Sequence, residues 1–153
     1  MLLFDIQKFI SNTMKNDSSF NDKVEEYFGR EMTYFADAHI LDEVNEIPSF
    51  VTYGLESIDE KNDKFYIVQF VITALIEEQS IEEDGIRVYP TKKFLEELAM
   101  DSVASIKNEI KTIGINGNCN IQIAHYNLSL SYIGEAEDLQ AIVTLRFDER
   151  KFI

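Results

Sequence analysis

The stretch from Phe65 to Ile76 places the strongest constraint on the fold. It is apolar but for Gln69 and Thr73, and it is rich in aromatic and β-branched side chains. A bilayer span needs about 18–20 apolar residues, so this shorter run has to be buried within protein. Both of its alternating faces are apolar, which predicts a central strand covered at least in part on both sides. Upstream, Pro48 blocks a helix, and Ser49 to Leu55 reads as a short strand with Val51, Tyr53 and Leu55 on one face. The polar run Asp59 to Lys64 then makes these two strands a hairpin.

Two further strands are expected near the C-terminus. In Ile121 to Ile133, Leu128, Leu130 and Tyr132 alternate with Asn127, Ser129 and Ser131; in Leu139 to Phe147, Leu139, Ala141, Val143, Leu145 and Phe147 alternate. Such alternation fits antiparallel strands with one better-buried face. The turn Gly134 to Asp138 joins them, and Leu139 to Phe147 is expected to be an open edge. Between the two strand pairs, Thr91 is expected to cap a helix. Leu95, Leu98, Ala99, Ser102, Val103, Ile106, Ile110 and Ile113 form its buried stripe, and Gly114 with Asn116-Gly117-Asn118 ends it.

At the N-terminus, Leu3, Ile6, Phe9, Ile10 and Met14 recur at helical spacing. A second helix is expected to start near Ser19, with Asp22 completing a relative of the capping box, and to run through Val24, Tyr27 and Phe28 to Gly29. Arg30 to Glu46 reads as loop with some local structure, and Glu77 to Gly85 as an acidic, solvated segment. The expected fold is therefore a single α+β domain over 1–153: a mainly antiparallel four-stranded sheet with the N-terminal helix and one long helix packed against it.

Charge narrows the function. The chain of 153 residues carries 14 Lys+Arg against 28 Asp+Glu, a net −14, while its 45% hydrophobic content supplies a packed core. That excess of acid argues against sequence-independent binding of nucleic acid and against anionic membranes. Lys64-Phe65-Tyr66 and the stretch from Arg146 to Phe152 interleave aromatics with bases. The first reads better as part of a buried strand, and the second holds adjacent acids that would repel phosphate. The N-terminus lacks a basic leader followed by an apolar stretch, and a non-secreted chain is expected.

Few side chains suggest chemistry. The acidic clusters Asp59-Glu60-Lys61-Asn62-Asp63 and Glu82-Glu83-Asp84-Gly85 lack the ligand spacing of a calcium loop, so they read as solvated loops. His39 and His125 lie far apart and fit no metal-binding spacing; a site joining them with a carboxylate such as Asp37 would require convergence in space. Cys119 sits in a polar turn without a neighbouring base to activate it. There is no Gly-x-Ser-x-Gly elbow and no glycine-rich phosphate loop. No catalytic residue, metal or cofactor is therefore assigned. Asp59, Glu60, Lys61, Asp63, Glu82, Glu83, Asp84, Glu135, Glu137, Asp138 and Arg146 are kept as candidate interaction loops and edges.

The order of elements resembles the tail terminator proteins of long-tailed bacteriophages. The likeness rests on the N-terminal helix, on Ile47-Pro48-Ser49-Phe50-Val51 leading into the first strand, on the charged hairpin turn and the long strand after it, on the helix from Thr91 to Ile113, and on a last strand ending in Arg146-Phe147-Asp148-Glu149-Arg150. It covers residues 2–150 and departs from the family in Glu77 to Gly85 and Arg30 to Glu46.

The resemblance implies a homo-hexameric ring on the head-proximal end of the tail tube, which stops tube polymerisation and meets the head completion proteins. The partners would then be further copies of the chain, the tail tube protein and the head completion protein, with DNA at most passing through the lumen. The location would be the virion, and the host cytoplasm during assembly. Two other readings stay open: an acidic binding module or inhibitor engaging a basic partner, and a metal-binding enzyme domain using carboxylates with histidine.

Overall fold

A computed structural model describes residues 1–37, 46–75, 80–133 and 138–150. Among these residues, three helices lie on one face of a five-stranded mixed sheet, and a two-stranded hairpin stands beside it. The elements are α1 Leu3–Lys15, α2 Ser18–Phe28, β1 Thr33–Ala36, β2 Ser49–Asp59, β3 Asp63–Leu75, β4 Ile81–Glu83, β5 Ile86–Val88, α3 Pro90–Thr112, β6 Ile121–Ile133 and β7 Asp138–Arg150. The sheet order is β1-β2-β3-β7-β6, antiparallel throughout except for β1, which runs parallel to β2.

This order corrects two expectations. The sheet has five strands rather than four, because Thr33–Ala36, inside the stretch read as loop, pairs with Ser49–Thr52. A strand so short carries little periodic signal of its own, and it exists through its partner: Thr33 N–H donates to the Pro48 carbonyl at 3.0 Å and Asp37 N–H to that of Thr52 at 2.8 Å. The strand expected to be an edge, β7, is interior and bonded to β3 along one side and to β6 along the other. The edges are β1 and β6.

β3 is central, as its apolar character on both faces predicts. Tyr66, Val68, Phe70, Ile72 and Ala74 face the helices in register with Phe147, Leu145, Val143, Ala141 and Leu139 of β7. Beneath α1 and α2, the Phe50 ring stacks on Phe70 at 5.0 Å and meets the edge of Phe20 at 6.3 Å. The expected face of β2 needs revision. Ser49 to Thr52 are all buried, Phe50 joins the helix-side core, and a bulge between Gly54 and Glu56 turns Leu55 out to solvent.

Ile6, Ile10 and Met14 of α1 are fully buried over the sheet, and the Gln7 amide, buried with them, donates to the Thr52 carbonyl at 3.1 Å. Gly54 permits this approach, since a Cβ there would lie 2.7 Å from Gln7 Oε1 and 2.9 Å from the Leu3 Cβ. Asp17, not Ser19, caps α2 by accepting from the Phe20 N–H at 3.0 Å, and Gly29 ends it in the left-handed region. Tyr89, not Thr91, is the cap residue of α3, with Pro90 in its first turn. Thr91 is buried, its hydroxyl 3.1 Å from that of Tyr27. Ile113, counted in the stripe of this helix, is 55% exposed, because α3 stops at Thr112 and the chain turns at Gly114.

A polar clamp locks the α1–α2 junction. The Asn21 amide donates to the carbonyls of Met14 and Asp17, each at 2.8 Å, while its own oxygen accepts from the Tyr34 hydroxyl at 2.6 Å. Burial pushes the Tyr34 phenol well above its usual pKa, and the charge of Asp17 adds to the rise. Because the folded pKa lies above the unfolded one, this contribution is complete below about pH 10 and is lost as the phenol ionises at higher pH. Tyr34→Phe is accordingly expected to flatten the alkaline decline in stability, read as melting temperature across a pH 9–12 series; an unchanged decline would assign it to other groups.

Candidate interaction site

The carboxylates nominated from the sequence do not form one site. Asp59, Glu60, Lys61 and Asp63 form the β2–β3 turn, closed by the Glu60 N–H donating to the Asp63 carbonyl at 2.8 Å. Asp138 starts β7 opposite Leu75, at the other end of β3. With 13 residues in β3, this is roughly 40 Å from the turn. Glu135 and Glu137 lie outside the described residues, as do His39, Glu77 and Glu78.

Arg146 is held on the sheet rather than presented in a loop. Its guanidinium lies over the Phe65 ring at 4.0 Å and its Nε donates to Asp148 Oδ1 at 2.9 Å, on the face opposite the helices. At the same end of the sheet, Glu149 accepts from Asn118 Nδ2 at 2.9 Å and from the Tyr66 hydroxyl at 3.3 Å. A shallow depression there is lined by Asp63, Asn120, Gln122, Asp148 and Arg150. A second cleft, of about 560 Å³, runs between α1 and α3 and is lined by Lys8, Phe9, Asn12, Asn108 and Glu109 among others. Among the described residues no three His, Cys, Asp or Glu side chains are grouped to hold a metal ion, and no helix is long and apolar enough to cross a membrane. His125 and Cys119 are both exposed.

Glu82, Glu83 and Asp84 belong to a different kind of feature. Instead of a solvated loop, the structure has a hairpin in which Ile81 pairs with Val88, Glu82 with Arg87 and Glu83 with Ile86. Its turn is Asp84-Gly85, both at positive φ (52° and 80°), the two-residue geometry whose twist matches that of the strands. Alternation puts Ile81, Val88, Glu83 and Ile86 on one side and Glu82 and Arg87 on the other.

The apolar side is not consumed by the fold. Ile81 is 51% exposed, Ile86 64% and the adjoining Tyr89 47%, and the two strands pack chiefly against each other. Lys93 Nζ approaches Glu83 Oε1 at 3.5 Å, an exposed pair of little energetic weight. Ile81, Ile86 and Tyr89 are the candidate contact residues missed in the sequence. The signal was present, since an Asp-Gly pair flanked by alternating apolar residues marks a tight hairpin; the surrounding acids masked it.

Fold and surface together define an α+β protein with its helices on one sheet face and a two-stranded arm that exposes Ile81 and Ile86. No protein-family model matches the chain, and no curated protein matches it.

Proposed function

We propose that the chain is a virion assembly protein of the tail-terminator kind. In this reading it forms a homo-hexameric ring that caps the tail tube, stops its polymerisation and joins it to the head completion proteins. Its work is mechanical and specific rather than catalytic, and needs neither metal nor cofactor. It acts in the virion, and in the host cytoplasm during assembly.

The observation that carries this reading is the β4–β5 arm. An isolated two-stranded hairpin is marginally stable in water, and one that exposes two isoleucines gains stability when a neighbour covers them. A cyclic ring is built from heterologous contacts, in which an arm of one copy seats on a different surface of the next. Capping follows if one face of the ring matches the last ring of the tube while the other lacks the tube's polymerising surface. Six copies at −14 each make a strongly acidic ring, and acids facing the lumen would repel the phosphates of passing DNA.

A second reading draws on the tip of the same arm. Glu82, Glu83 and Asp84 are all exposed and would suit a basic partner. Salt separates the two: binding by the acidic tip weakens steeply as ionic strength rises, whereas burial of Ile81 and Ile86 persists. A ring holds the tube through all its copies at once, so loss of the arm contact between copies loses that avidity: Ile81→Asp with Ile86→Asp is expected to leave the fold intact, to prevent ring formation and to weaken binding to the tail tube protein about tenfold or more. Unchanged tube binding by this variant would remove the arm from the account.

A further inference from the structure

The outer edge of β6 also has no partner strand among the described residues. It is long, at 13 residues, and pairs only with β7. Natural edge strands are kept from pairing by charge, proline, brevity or a bulge. β6 has one of these devices, a bulge between Ile123 and His125 at its start. From His125 to Ile133 it runs without bulge, proline, lysine, arginine, aspartate or glutamate. In a chain of net charge −14, so long a neutral edge is conspicuous. By contrast β1, at the opposite edge, has four residues.

We infer that in solution two copies of this chain pair through β6, antiparallel, about a two-fold axis at Ser129. The occupant of the edge follows from its near-palindrome, Tyr126-Asn127-Leu128-Ser129-Leu130-Ser131-Tyr132, and charge limits where a second copy can approach. Two copies at −14 repel one another over most of their surfaces, and the neutral strand is where a like-charged partner can approach. A basic partner would be drawn to the acidic turns instead.

The pattern of β6 is also complementary to itself. Residues directly opposed in an antiparallel pair lie on the same face. An axis at Ser129 sets Leu128 against Leu130 of the second copy, Tyr126 against Tyr132, and Asn127 against Ser131. The leucines and tyrosines already line the helix side, where Leu128 and Leu130 are partly buried, Tyr132 is 47% exposed, and the Lys107 ammonium sits 5.0 Å from the Tyr126 ring centroid. Pairing extends the sheet across both copies, keeps all helices on one side, and covers Tyr132. The contact is isologous and closes at two copies. It is independent of the arm, so the dimer and the tail ring can fail separately.

Size-exclusion chromatography with light scattering, over a concentration series, tests the pairing without any tail component. The wild-type chain is expected to dimerise. Ser129→Lys, at an exposed position, sets two ammonium groups face to face and is expected to weaken the dimer several-fold while leaving the monomer's melting temperature unchanged. In a Cys119→Ser background, Ser129→Cys is expected to oxidise to a covalent dimer. A wild-type chain monomeric at every concentration, or a dimer indifferent to Ser129→Lys, would overturn the inference. A dimer that Ser129→Cys fails to cross-link would overturn the axis at Ser129.

Discussion

Phe50→Ala is expected to destabilise the protein by about 3–5 kcal/mol, read from the midpoint of urea unfolding. Phe50 is fully buried where α1 and α2 meet the sheet, stacked on Phe70 at 5.0 Å, tilted against Tyr34 at 5.6 Å and edge-on to Phe20 at 6.3 Å. Truncation removes the transfer free energy of a ring and leaves a cavity between rigid neighbours, and the rings of Phe70, Tyr34 and Phe20 then face a void. Against a typical total stability of about 5–15 kcal/mol, that loss leaves a marginal fold. A cost under about 1 kcal/mol would mean that the helices do not sit on this ring as described.

Gly114→Ala is the second large effect, through backbone rather than packing. Gly114 sits at φ +71°, and a Cβ there would lie 2.5 Å from the Asn118 carbonyl carbon and oxygen and 2.8 Å from the Cys119 nitrogen. These are backbone atoms of the turn in which Ile115 and Asn118 exchange hydrogen bonds at 3.0 Å, and Ile115 is fully buried. The left-handed conformation costs an alanine about 1–2 kcal/mol, and displacing the turn adds about 1–3 kcal/mol. Gly85→Ala provides the control: φ is +80°, but nothing lies within 4 Å of the new Cβ, so only the conformational cost applies. Equal losses in the two variants, measured by thermal unfolding, would show that the contact at Gly114 is not tight.

Periodicity along the chain made much of this fold legible. The burial of α3 from Leu95 to Ile110, the alternation of β7 and the central place of β3 all follow from patterns set by each segment's own face. The order of strands does not. The outward residues of β7, Gln140, Ile142, Thr144 and Arg146, are mostly polar, a pattern that fits an edge strand as well as an interior one. That polarity reflects a sheet face turned away from the helices, where Gln69 donates to Thr144 at 3.2 Å and Gln140 to Thr73 at 3.4 Å. An alternating pattern tells which face is buried, while strand neighbours are set by long-range pairing. β1 was illegible for the same reason, being a strand only beside β2.

The interaction surface was legible in the wrong terms. Charge drew attention to Glu82, Glu83 and Asp84, whereas the exposed isoleucines of the same hairpin, Ile81 and Ile86, are what the proposal rests on. The net −14 still argues against sequence-independent nucleic acid binding, and it now has a second consequence. Under the proposals above, a second copy approaches most easily where acid is absent, as along β6 from His125 to Ile133, whereas the isoleucines of the arm share their side with Glu83, which Lys93 approaches at 3.5 Å.

Electron microscopy of tail tubes grown with and without the purified chain tests the proposed role most directly. The expected result is a ring at one end of each tube and an arrest of tube growth on addition of the chain, both lost with Ile81→Asp and Ile86→Asp together. Tubes that carry no ring and grow to the same lengths in the presence of excess chain would contradict the proposal.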